Sequence, residues 1–98
     1  MTVNKKINNN ALVAEIEGRI DTTTAPQLEA ELKESCMEVE SVVLDFANVA
    51  YISSAGLRVL LSVQKIMSKK EGMKLIHVSE DIMEIFEVTG FNEILTIE

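Results

Sequence analysis

The sequence predicts an α/β fold: one domain over residues 1–98, built on a mixed, mostly parallel sheet of about five strands with helices packed mainly on one face. Three observations lead there. Two strand-like segments flank Asn8-Asn9-Asn10 at the start of the chain. From Thr24 onward, segments with helical spacing alternate with short apolar runs. And 98 residues, 47% of them apolar with few aromatics, suffice for a single core of Val, Ile, Leu, Met and Ala. Three short helices are few for covering both faces of such a sheet, so they are expected to crowd one.

The opening strands are read at Thr2 to Ile7 and Ala11 to Glu17, joined by asparagines that tolerate left-handed turn geometry, with Gly18 marking the exit. Thr24-Ala25-Pro26-Gln27 has the form of a capping box, and Ala25, Leu28, Leu32 and Cys36 continue as an apolar stripe with Glu29 and Lys33 paired on the wet side. Ser41 to Phe46, with Val42, Val43 and Leu44 consecutive, reads as a strand buried on both faces at the sheet centre. A second helix runs from Ser54 to about Lys70, stopping near Gly72 with Lys69 and Lys70 in its last turn. Its two apolar strips, one of Leu57, Leu60, Leu61 and Met67 and one of Val59, Val63 and Ile66, point to burial between the sheet and a neighbouring helix, with an exposed docking strip as the alternative. Met73 to Val78 is the next strand. Glu80 to Thr89 is a short helix with Ile82, Ile85 and Phe86 inward, capped by Ser79 and ended at Gly90. Glu93 to Ile97 closes the sheet.

Composition removes several function classes. A net charge of -7 argues against binding a phosphate backbone, whereas a basic protein partner suits it. The apolar stretches are short and broken by charges, and Met1 to Asn10 lacks the apolar core of a signal peptide, so the expectation is a cytoplasmic protein with no direct membrane insertion. Cys36, the only cysteine, reads as a small buried filler, and no cofactor or metal site suggests itself. His77, the only histidine, lies in an apolar strand run and reads as structural.

Without a second histidine, a nucleophile elbow or a glycine-rich phosphate loop, the expectation is that the chain is not an enzyme. Asp45 at a strand end invites comparison with a phosphoacceptor aspartate, but no acidic pair accompanies it to hold Mg²⁺, and it reads as a turn former. The informative stretch is Asp45 to Leu60, DFANVAYISSAGLRVL, in which a strand hands over to a helix at Ser53 and Ser54. A serine there can cap the helix and, if phosphorylated, place its charge at the favourable end of the helix dipole. Gly18-Arg19-Ile20-Asp21 stands before the first helix as the serines stand before the second, so the two loops are expected to adjoin at one sheet edge. Asp21 is equally readable as a turn or capping aspartate.

Three segments, GRIDTTTAPQLEAEL from Gly18, VVLDFANVAYISSAGLRVLL from Val42 and IFEVTGFNEIL from Ile85, resemble the STAS family, and among its members a stand-alone bacterial anti-sigma factor antagonist. That resemblance implies partner switching. The unphosphorylated form binds an anti-sigma factor that is also a serine kinase and so releases a sigma factor; ATP-dependent phosphorylation ejects it, and a PP2C-type phosphatase restores binding. Ser54 then corresponds to the phosphoacceptor, with Ser53 the secondary candidate, Gly56 to the glycine opening the following helix, and Asp21 to a nearby aspartate. Two positions depart from the pattern: Ser53 stands where an aspartate is common, and Ala55 replaces a hydroxyl residue. The implied partner face comprises Asp21, Ser53, Ser54, Gly56, Leu57 and Arg58, on the loop before Ser54 and the exposed side of its helix. The alternative is a constitutive STAS-like accessory subunit of a lipid-transport ATPase complex, in which the serines are never modified.

Overall fold

The computed structural model describes residues 1–98. Strands β1 (Thr2–Asn8) and β2 (Ala11–Ile20) form an antiparallel hairpin turned by Asn9 and Asn10 at φ 52° and 68°, the left-handed region that asparagine tolerates. Helix α1 (Ala25–Cys36), β3 (Ser41–Ile52), α2 (Ser54–Met67), β4 (Gly72–Ile76), α3 (Glu80–Thr89) and β5 (Thr96–Ile97) follow in order. The sheet order is β1-β2-β3-β4-β5, and every pairing after the hairpin is parallel. With strands in sequential order, crossovers of the usual right hand lay all three helices on the same face.

Strand register shows which face that is. Leu12 and Ala14 pair with Val42 and Leu44, which pair in turn with Met73 and Leu75, and all six are buried. They form one core with Leu28 and Leu32 of α1, Leu60, Val63 and Met67 of α2, and Ile82 and Phe86 of α3. The Phe46 and Phe86 rings meet with centroids 6.2 Å apart, tying β3 to α3. Each fully buried Leu or Ile contributes about 1.5–3 kcal/mol. α2 is covered on both of its apolar strips, because it packs against β3 and β4 on one side and α1 on the other. The deep-burial expectation holds, with Ile66 and Leu61 only half-buried.

Several expectations need correction. β3 is the middle strand but is buried on one face only, since Val43 and Asp45 on the other remain half-buried. It also runs six residues beyond Phe46, to Ile52. A bulge against β2 between Glu15 and Glu17 breaks the alternation there, which disguised the continuation. β2 likewise passes through Gly18, whose φ of +101° sits beside a second register shift, and ends at Ile20. The capping box at Thr24 does not form. Gln27 Nε2 donates to Glu31 instead, and Thr24 Oγ1 donates to the Arg19 carbonyl at 2.8 Å. α2 ends at Met67, and Lys70 reaches across to α1, donating to the carbonyls of Cys36 and, at 2.8 Å, Val39. β4 stops at Ile76, which leaves His77 outside the strand and exposed, at φ 58°. The stretch expected as a strand from Glu93 begins instead as the end of a short 3₁₀ turn, Phe91–Glu93, so β5 has two residues. Ile85 is only half-buried.

Candidate functional site

The site stands where β2 and β3 end together, beyond the last residues that β4 pairs. Arg19 and Ile20 pair with Tyr51 and Ile52, and the Ser53 N–H donates to the Ile20 carbonyl at 2.8 Å. The two loops therefore adjoin, as their positions after parallel strands require.

On the β2 side, Asp21 organises the approach to α1. Its carboxylate accepts from Thr23 Oγ1 at 2.7 Å, from the Thr23 N–H at 3.0 Å and from the Thr24 N–H at 3.2 Å. Its carbonyl receives the Ala25 N–H at 2.8 Å. The Thr23 hydroxyl bond, aided by the two N–H groups, holds its carboxyl below the usual carboxylate range despite some desolvation. The turn-former reading of Asp21 thus describes its local contacts. Arg19 Nε lies 3.8 Å from the same carboxylate, and its guanidinium carbon sits 4.6 Å from the Tyr51 ring centroid. Tyr51 was absent from the residues the sequence singled out. Only the shifted register, which sets Arg19 opposite Tyr51, reveals the pair.

On the β3 side, the structure separates the two serines. Ser54, the first residue of α2, is exposed. Ser53 occupies the N-cap position with extended backbone, yet its hydroxyl makes no capping bond and is enclosed without a partner. Of the two serines, Ser54 thus stands at the surface while the Ser53 hydroxyl is surrounded by protein. The loop expected before Ser54 is strand as far as Ile52, leaving Ser53 as the sole joint.

Gly56 and Leu57 lie inside the protein. A Cβ on Gly56 would come within 2.7 Å of both Ile20 Cγ2 and Ile52 Cγ1, so the glycine lets α2 press onto the ends of the two strands. Leu57 is 6% exposed and belongs to the core, which limits it to supporting the surface from beneath. Arg58, by contrast, is exposed. It borders a groove of about 300 Å³ between α1 and α2, lined by Ala25, Pro26, Glu29, Ala55, Arg58 and Val59.

The only histidine stands well away from the two serines. His77 Nδ1 donates to Asp45 Oδ1 at 3.0 Å, and Asp45 lies eight positions before Ser53, a distance along β3 of about 25 Å. The Ala47 N–H and then His77 hold the Asp45 carboxyl below its usual range. No three His, Cys, Asp or Glu side chains gather as a metal site. Burial pushes the Cys36 thiol upward, against a smaller opposing effect of Lys70, which suits a filler. No helix is long and apolar enough to cross a membrane.

Comparison with known proteins gives a consistent result. The profile of the STAS domain matches residues 2–98. BtrV of Bordetella bronchiseptica is 40% identical over 88 residues, covering 88% of this chain and 76% of its own. The anti-sigma-B factor antagonist of Bacillus subtilis is 31% identical over 98 residues, covering 99% and 90% respectively. Among solved structures, the anti-sigma factor antagonist SpoIIAA in its unphosphorylated form superposes with a TM-score of 0.83 at 15% identity, covering 99% of this chain and 88% of its own. The phosphorylated form of that Bacillus protein gives 0.76, also at 15% identity, covering 99% and 91%. At such identity the likeness is one of fold.

Proposed function

The chain belongs to the STAS domain family, and on that premise we propose that it is an anti-sigma factor antagonist: a non-enzymatic, cytoplasmic binding module whose unmodified form captures an anti-sigma factor and frees a sigma factor. The partner is an anti-sigma factor that is also a serine kinase. It transfers the γ-phosphoryl group of ATP to Ser54 Oγ, with loss of the hydroxyl proton and release of ADP, and the modified antagonist dissociates. A PP2C-type phosphatase hydrolyses the ester and returns serine and inorganic phosphate. The partner face comprises Asp21, Ser53, Ser54 and Arg58, with Gly56 and Leu57 supporting it from below.

The observation that carries this reading is the exposure of Ser54 at the first residue of α2, on an edge where two parallel strands are fastened together. A phosphate there adds about -1.5 to -2 charge without having to enter the core, so the fold persists while the surface seen by a partner becomes more negative. The net charge of -7 suits a basic protein surface and disfavours nucleic acid.

The test is a pull-down from native lysate with the unmodified chain and Ser54→Asp as paired baits, both first shown to be folded. An ATP-binding anti-sigma kinase retained by the unmodified bait alone is the expected result. Equal retention of a lipid-transport ATPase by both baits would overturn the switch and make the chain a constitutive subunit.

A further inference from the structure

We infer that Arg58 is the phosphate-binding residue of this site: once Ser54 carries a phosphoryl group, the Arg58 guanidinium closes on it across one turn of α2. This rests on the proposed modification of Ser54 and adds to it the group that receives the phosphate.

Ser54 and Arg58 stand four residues apart in α2, and both are exposed. That spacing sets their Cβ atoms about 5–6 Å apart on one helix face. Side chains in a helix lean toward its N-terminus, so the Arg58 stem extends over the turn that Ser54 begins. The guanidinium is also uncommitted. The ion pairs of the molecule use Arg19, Lys33, Lys74 and His77 and leave Arg58 out. Glu29, the carboxylate lining the same groove, is engaged by Lys33 at 3.5 Å.

The other side of the phosphate is equally provided for. Ser53 makes no capping bond, which leaves N–H groups in the first turn of α2 without a side-chain acceptor. A phosphate on Ser54 would lie between those donors and a planar guanidinium whose fork matches its oxygens. Arg58 would then leave the groove. The local charge there falls from +1 to about -1, since the phosphate outweighs the one guanidinium that it captures. Phosphorylation thus removes a free cation from the partner face as well as adding an anion to it.

The experiment uses the full chain with phosphoserine incorporated at position 54 during translation, alone and combined with Arg58→Gln, Arg58→Lys or Arg19→Gln. The second ionisation of the phosphate is followed by ³¹P NMR. With Arg58 present its pKa is expected about 0.2–0.4 pH unit lower than in Arg58→Gln, with Arg58→Lys recovering part of the difference and Arg19→Gln leaving it unchanged. An unchanged pKa in Arg58→Gln, or an equal rise in Arg19→Gln, would overturn the assignment, the first placing the phosphate on the helix terminus alone. Amide spectra of each variant establish that the fold is retained. Because no kinase takes part, failure to find a partner in lysate would sink the antagonist reading and leave this result standing, and the converse also holds.

Discussion

The main-chain N–H of Ser53 donates to the carbonyl of Ile20 at 2.8 Å, fastening the end of β3 to the end of β2 one residue before the exposed Ser54. The acceptor candidate therefore sits on a joint between two strands and not on a free loop. A docking surface built this way needs little ordering when a partner arrives.

The closest packing under that joint is at Gly56. Gly56→Ala should gain about 1 kcal/mol of helix propensity and lose about 1–3 kcal/mol to overpacking against Ile20 and Ile52, both fully enclosed side chains. The expected outcome is a net loss of up to about 2 kcal/mol, read as a lower urea midpoint at unchanged slope. A midpoint at or above that of the parent would show that the two isoleucines can yield.

Ser53→Ala makes the opposite prediction. Its hydroxyl is enclosed, unpartnered and not capping α2, so removing it should leave stability within about 0.5 kcal/mol or raise it. A loss above about 1 kcal/mol in chemical denaturation would mean that the hydroxyl caps the helix in solution.

Lys70→Met should destabilise the protein by about 1–2 kcal/mol, because the carbonyls of Cys36, the last residue of α1, and of Val39, in the connection that follows, lose their charged donor. Hydrogen exchange should quicken first in the last turn of α1. Faster exchange confined to the end of α2 would assign Lys70 to its own helix.

Asp45 gives a pH signature. Its carboxyl is depressed in the folded protein by the Ala47 N–H and by His77, so its contribution is fully present above the unfolded carboxyl value, about 3.9, and fades as pH falls through the lower folded value. Asp45→Asn should therefore lower the urea midpoint at pH 6–7 and matter progressively less below pH 4. A difference from the parent that is constant between pH 7 and pH 3 would place the effect elsewhere than in the charge.

Element type and order were legible in the chain because their signals are local. The asparagine turn, the stripe of Leu28 and Leu32, the Ser79 cap and the left-handed Gly90 each act within a few residues, and the structure shows each of them. The STAS motifs likewise marked Ser54 directly in the sequence. What the tertiary structure decided concerns residues far apart in the chain. Ile20 and Ser53 meet across parallel strands, Lys70 finds α1 from 34 positions away, and two bulges carry β2 and β3 past the points where alternation fails. Only the assembled structure shows that Ser54 and Arg58 are exposed, that the Ser53 hydroxyl is enclosed and that Leu57 is buried. Helix spacing says which side chains share a face, but the packing of a second strand or helix determines which of them water still reaches.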